Sequence, residues 1–185
     1  MKSIYSSIVI LFWIPIHGAI CQDISEKYIC WEEGVTLMWS DFQGMPDTTS
    51  LGKAGCASEL LAQGFWDQGL PNFLISNCFD RSVSWTVDTT SDQLLAHEKL
   101  HFDIAEIHAR MMRKGIDSLR KEGIKDFAPY SKVVQNLLER RNKIDSLYDE
   151  ETAHSIYESE QLRWEMKVRE KLESLRAYST ECYRD

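Results

Sequence analysis

Three features that the sequence lacks narrow the class of protein. No C-x-x-C pair occurs, which argues against a cysteine-based zinc site. No apolar stretch after the first 21 residues is long enough to cross a bilayer, so we do not expect an integral membrane protein. Basic residues are in deficit, 21 against 29 acidic ones, and the net charge of −8 argues against nucleic acid or an anionic membrane surface as partner.

The first 21 residues have the pattern of a secretory signal peptide. A basic start is followed by an apolar stretch at 4–16 and by small residues before Gln22. We therefore expect cleavage near Cys21-Gln22 and an exported protein, periplasmic or extracellular. A lipid anchor on Cys21 is the less favoured alternative, because Ile20 fits a lipidation signal poorly.

Four cysteines follow this leader, an even number that in an exported protein is typical of two disulfides. Cys56 and Cys78 fall in two neighbouring predicted strands, so we predict a bridge between them. Cys30 and Cys182 would then join the two ends of the domain. Four buried free thiols are the alternative.

The remaining residues, 22–185, predict a single α+β domain with a small antiparallel sheet followed by two or three helices. No internal repeat divides them, and they are numerous enough for one core. Residues 22–34 are polar and predict an irregular lead-in. Strands are predicted at 35–39, 56–66 and 72–79, with a hairpin turn at 67–71, and residues 82–87 either extend the strand at 72–79 or form a further one.

Helical periodicity replaces the strand pattern from Thr90 onward. Thr90 and Gln93 resemble a capping box, and no helix breaker follows before Gly115. After a connector at 115–130, apolar residues recur at helical spacing from 132 to 178. So long a run predicts a break, and its position is expected near His154, where Ser155 and Glu158 form a second capping box.

The most informative motif lies in the first predicted helix, where His97-Glu98-Lys99-Leu100-His101 reads H-E-x-x-H. Histidines four residues apart lie on one face of a helix, so both imidazoles can bind one zinc ion. Glu98 would lie beside that ion, where a carboxylate can act as general base on a water molecule. The motif predicts a metallohydrolase, most simply a peptidase.

A catalytic zinc ion needs a third protein ligand, and we predict His154 because a side chain at a helix break can turn toward the facing helix. His108 is a weaker candidate. It lies about 10.5 Å along the helix from His101, and no glycine breaks the helix between them. Glu150 and Glu151 are two further candidates, since a glutamate on a second helix can serve as third ligand.

Three blocks of the chain resemble a family of bacterial secreted proteins regarded as zinc-dependent proteases. Residues 37–46 resemble its L-x-W-x-D-F-x-G-x-P opening, 94–106 its H-E-x-x-H-F-D-I-A-E core, and 148–155 its Y-D-x-E-T-x-H segment. The resemblance implies a secreted zinc protease and supports His154 as third ligand. Ser155 departs from the pattern, where glycine is often found.

The combined prediction is an exported, zincin-like α+β metallopeptidase that acts on protein or peptide substrates. His97, His101 and His154 would bind Zn²⁺, and Glu98 would be the general base. One alternative is a non-catalytic exported binding or envelope-structural protein with a structural or vestigial metal site. A second is a zinc hydrolase that cleaves amide bonds outside proteins, such as cell-wall cross-links.

Overall fold

The computed structural model describes residues 27–50 and 52–179. The predicted α+β class is confirmed, because a small antiparallel sheet precedes three helices in this part of the chain. The predicted leader lies outside the described residues. The strands are β1 (Tyr28–Cys30), β2 (Ala54–Gly55), β3 (Ser58–Asp67), β4 (Leu70–Asp80) and β5 (Trp85–Thr86), and the helices are α1 (Asp92–Lys121), α2 (Phe127–Thr152) and α3 (Glu158–Ser174).

The main sheet has the order β1-β4-β3, and both pairings are antiparallel. Gln68 and Gly69 join β3 to β4 with φ values of 51° and 77°. Positive φ at both positions is typical of the two-residue turn that matches the twist of a hairpin. The predicted hairpin is therefore confirmed. β2 and β5 form a separate two-stranded sheet.

The predicted strand at 35–39 is wrong. Leu37 is buried beside Phe42, Phe79 and Phe102, but it enters this cluster from a loop, and a single 3₁₀ turn follows at Trp39–Asp41. The first strand is instead β1, which lies in the segment predicted as a polar lead-in. With only three residues it is too short to show an alternating pattern, and it is held by pairing with β4.

Helix α1 continues through Gly115, although the sequence predicts its end there. A Cβ atom on Gly115 would lie 2.7 Å from Cγ1 of Val133 in α2, so the glycine allows the two helices to approach closely. The start of α1 is also displaced by one residue from the prediction. Ser91 is the N-cap and accepts a hydrogen bond from the backbone of Leu94, whereas Thr90 bonds to Asp88.

The predicted Cys56–Cys78 disulfide is wrong, because both residues are free thiols. Cys78 in β4 is paired in register with Glu59 rather than with Cys56, and its sulfur lies 3.6 Å from that of Cys30 on the other side. Cys182 lies outside the described residues, so the second predicted pair stays a prediction.

Helix α1 forms the centre of the domain. One side packs on Leu60 and Ile75 of the sheet through Met112 and Ile116, in a cluster that α2 completes. Another side contacts α3 in a second cluster around Trp164. Over the described ranges, none of the helices combines the length and apolar character that a bilayer crossing requires.

Candidate metal centre

His97 and His101 lie on the face of α1 that meets the end of α2. Both are buried, at 1 % and 9 % exposure. Tyr148 of α2 fixes the two rings: it stacks on His97 with centroids 4.5 Å apart and meets His101 edge-on at 4.8 Å. The H-E-x-x-H spacing places both imidazoles on one face of α1, as the sequence predicts, and the structure shows that this face meets α2.

Three imidazole nitrogens approach one carboxylate oxygen, Oδ1 of Asp149 in the last turn of α2. Nε2 of His101 lies 2.9 Å from it, Nε2 of His97 lies 3.2 Å from it, and Nδ1 of His154 lies 3.5 Å from it. Four donor atoms thus converge on a small volume between α1 and α2. His97, His101 and Asp149 form a group of ligand atoms that could hold a metal ion.

These distances fit tetrahedral coordination. Zinc–nitrogen bonds of about 2.0–2.1 Å place neighbouring ligand atoms of a tetrahedron about 3.3 Å apart. The two separations within the His97–His101–Asp149 group that involve Asp149 are 3.2 and 2.9 Å. All three ligand atoms lie within 4.8 Å of one another, so these side chains could close around one ion.

The outer nitrogen of each histidine has its own acceptor. Nδ1 of His101 lies 3.2 Å from a carboxylate oxygen of Asp145. Nδ1 of His97 lies 3.2 Å from the side-chain carbonyl oxygen of Gln161 in α3. An imidazole whose Nδ1–H is donated outward can bind a metal ion through Nε2 once the proton on Nε2 has left, which is the arrangement that metal-binding histidines need.

Charges in the centre are unequally distributed. Burial lowers the pKa of His97, so this ring is neutral near pH 7. Burial also disfavours the charged form of His101, but hydrogen bonds to Asp145 and Asp149 outweigh it and raise the pKa of that ring. Burial alone would raise the pKa of Asp149, yet hydrogen bonds from His101 and His97 hold it well below its usual value.

Glu98 is buried at 4 % exposure, on the side of α1 that faces the segment before β3. Burial raises the pKa of Glu98 to about 7, and the negative charge of Asp149 raises it as well. The positive charge of His101 and a hydrogen bond from the Cys56 backbone lower it. A carboxyl group with this pKa can exchange a proton at neutral pH, as a general base must.

His154 lies at the predicted break between helices, on a backbone of unusual shape. Ala153, His154 and Ser155 have φ values of 47°, 51° and 75°, all in the left-handed region. The side chain of Gln93 at the start of α1 donates to the carbonyl oxygen of Ser155, which ties this loop to the metal-binding helix. Helix α3 then starts two residues later than predicted, with Tyr157 as N-cap and no side-chain cap.

The structure keeps the remaining predicted ligands away from the centre. His108 is 3 % exposed and its Nδ1 lies 2.8 Å from the carbonyl oxygen of Ile104, so it is a packing residue inside α1. Glu151 accepts a hydrogen bond from the indole of Trp164 at 2.8 Å. Glu150 belongs to neither the His97–His101–Asp149 group nor its hydrogen bonds.

Asp149 is the residue that the sequence reasoning missed. It lies inside the Y-D-x-E-T-x-H segment, from which the sequence predicts only Glu150, Glu151 and His154 as possible ligands. A signal was present: Arg141, Asp145 and Asp149 are spaced four residues apart, so they form a polar stripe on one face of α2. A buried polar stripe on an amphipathic helix has to be paired with another element.

Comparison with known proteins adds a family without an assigned function. Residues 70–155 match the model of a family described as "Bacterial protein of unknown function (DUF922)". The matched region begins at β4 and includes the H-E-x-x-H motif, Asp149 and His154, but not the block at 37–46. No curated protein and no solved structure matches the chain.

Proposed function

We propose that this protein is a zinc-dependent metallopeptidase in which His97 and His101 bind the metal and Glu98 is the general base. The observation that carries the proposal is the convergence of buried imidazole nitrogens on one oxygen atom beside a buried glutamate. Two histidines and a carboxylate are a common ligand set of catalytic zinc. Glu98 also has a pKa of about 7, which suits proton transfer, a step that a purely structural site does not need.

We assign Asp149 as the third ligand and keep His154 as the alternative. Asp149 Oδ1 lies 3.2 Å from Nε2 of His97 and 2.9 Å from Nε2 of His101, and its side chain is 31 % exposed, against 48 % for His154. A catalytic site holds three protein ligands and keeps one position open. Only one of the two residues can therefore be a permanent ligand in a working enzyme.

A zinc ion held there would polarise an amide carbonyl and lower the pKa of a water molecule to about 7. Glu98 would accept a proton from that water and return it to the leaving amine. Burial of Glu98 keeps bulk water from competing for this proton. His154 is the most exposed of the four donors, so we expect a substrate to enter from its side.

The first test measures metal content and peptide hydrolysis together. We expect about one zinc per chain in protein purified without chelator, and cleavage of an unstructured protein such as casein. Glu98→Gln should keep the zinc and lose hydrolysis by at least about 10²-fold, because it removes the base without removing a ligand. Glu151→Gln is the matched control, since Glu151 accepts a hydrogen bond from Trp164 outside the metal centre, and this variant should keep both the zinc and the hydrolysis.

The same test separates the rival functions. Zinc with no turnover on protein or cell-wall substrates, in both the native chain and Glu98→Gln, would favour a structural site in a binding or envelope protein. Hydrolysis of cell-wall amide bonds without hydrolysis of protein would make the protein a zinc hydrolase of cell-wall cross-links. Absence of bound zinc after zinc is offered would refute the proposal.

A second pair of variants identifies the third ligand. Asp149→Ala should lose zinc, and His154→Ala should retain it, if the assignment is correct. The reverse result would make His154 the ligand. Circular dichroism of both variants checks that the helices are intact.

We also propose that the protein is exported, as the leader at 1–21 predicts. N-terminal sequencing of the protein recovered from its native host should begin at or next to Gln22. Recovery of an intact N-terminus from the cytoplasm would contradict this proposal.

A further inference from the structure

We propose that Asp145, held in place by Arg141, is a positioning residue that fixes the ring of His101 for metal binding. This inference rests on the proposed metal site and concerns a residue outside the ligand set. Asp145 lies one helical turn before Asp149 on the same face of α2.

Two carboxylates of α2 hold both nitrogens of one imidazole. Oδ1 of Asp145 lies 3.2 Å from Nδ1 of His101, and Oδ1 of Asp149 lies 2.9 Å from Nε2 of the same ring. Two acids four residues apart on α2 thus face two histidines four residues apart on α1. With Nδ1–H donated to Asp145, His101 can present only Nε2 to a metal ion.

Asp145 is itself oriented by a buried cation one turn earlier in α2. Nε of Arg141 lies 2.6 Å from Oδ2 of Asp145 in an ion pair that lacks hydrogen-bond geometry, and Nη2 donates to Oγ of Ser58 in β3 at 3.2 Å. Arg141 is 8 % exposed, so its charge is available to the buried acids rather than to solvent. The path Ser58–Arg141–Asp145–His101 connects the main sheet to the metal centre.

The two oxygens of Asp145 are thereby divided between two tasks. Oδ1 faces His101, and Oδ2 faces Arg141. A carboxylate used in this way adds no ligand, but it sets the orientation and the basicity of the ligand in front of it. Loss of such a partner typically weakens metal binding by about 10- to 100-fold.

His97 has a different kind of partner, which makes the role of Asp145 specific. Its Nδ1 faces the neutral amide of Gln161, whose oxygen also accepts from the hydroxyl of Tyr148 at 2.6 Å. His101 therefore receives a charged partner and His97 an uncharged one. We expect removal of the charge at Asp145 to affect His101 alone.

The experiment measures zinc affinity of the full chain by competition with a chromophoric chelator, and the absorption spectrum of the cobalt-substituted protein. Asp145→Ala should bind zinc about 10- to 100-fold more weakly and change the cobalt ligand-field bands. Asp103→Asn is the matched control. Asp103 is a buried acid two residues from His101 that accepts from Trp31 and Lys99, so its replacement should change neither readout.

Each outcome decides the matter. Native affinity and an unchanged cobalt spectrum in Asp145→Ala would overturn the inference, as would equal weakening in Asp103→Asn. If Asp145→Ala does not fold, Asp145→Asn keeps the side-chain volume and the acceptor but loses the charge, and native affinity in that variant overturns the inference. If the native protein binds zinc but Asp145→Ala binds it equally well, only the role of Asp145 is refuted. If neither the native protein nor any variant binds zinc, the proposed function itself fails.

Discussion

Zinc should raise the melting temperature of this protein, because the candidate ligands join two helices. His97 and His101 belong to α1 and Asp149 to α2, so an ion bound to all three can be held only while the helices are docked. A ligand that binds only the native state stabilises it by about 2.7 kcal/mol when its free concentration is 100 times its Kd. For a domain of this size each kcal/mol shifts the midpoint by about 2–4 °C, so we expect a rise of about 5–11 °C.

Two histidine variants of α1 test whether the rise in melting temperature depends on the candidate ligands. His101→Ala removes a donor atom, and its melting temperature should not respond to zinc. His108→Ala removes another buried ring, one that hydrogen-bonds to the Ile104 carbonyl, so its baseline melting temperature should fall while the zinc response stays intact. Differential scanning fluorimetry with and without zinc, and with a chelator as reference, measures all three proteins.

The reasoning would be refuted by an unresponsive native chain, or by His101→Ala and native protein that respond equally. A response lost in His108→Ala but kept in His101→Ala would place the metal elsewhere along α1. Neither result depends on finding a substrate.

Three further predictions concern stability. Ser155→Gly should stabilise the fold by about 1 kcal/mol, because Ser155 has φ +75°, a conformation that glycine adopts without strain. The control Ser146→Gly, inside α2, should cost about 0.5 kcal/mol, and urea denaturation measures both. Gly44→Ala should cost about 1–3 kcal/mol by the same measurement, since its Cβ would lie 2.7 Å from backbone atoms. Burial opposes the charge of Asp80, but hydrogen bonds from Ser82 and Lys27 hold its pKa below the usual value. The stability that the Asp80 carboxylate contributes is therefore present above about pH 4 and is lost as the pH falls further. Asp80→Asn should reduce the fall in melting temperature at acid pH.

Local patterns were sufficient to predict the parts of the site that belong to single elements. The spacing of His97 and His101 and the turn at Gln68-Gly69 are set by periodicity and turn chemistry, and both occur as predicted. The break near His154 followed from the length of the helical run. In each case the residues that decide the structure are adjacent in sequence.

Features that depend on contact between distant elements were predicted wrongly or missed. Gly115 ends an isolated helix by propensity, but here it lies inside α1 because Val133 of α2 comes within 2.7 Å of where a Cβ would be. Asp149 becomes part of the metal centre only when the end of α2 meets α1. The pairing of Cys78 was misjudged because register, which the sequence does not state, sets Glu59 opposite it.

The close approach at Gly115 has a mechanical consequence for the metal centre. His101 and Gly115 are 14 residues apart, which is about 21 Å along a helix with a rise of 1.5 Å per residue. A small tilt of α1 about its contact with Val133 is therefore amplified into a larger displacement of the histidines. A tilt of about 3° at this contact moves the histidines by about 1 Å, more than the spread of the distances to Asp149 Oδ1. A methyl group at Gly115 would thus act as a wedge that pulls the ligands of one helix away from those of the other, without touching any of them.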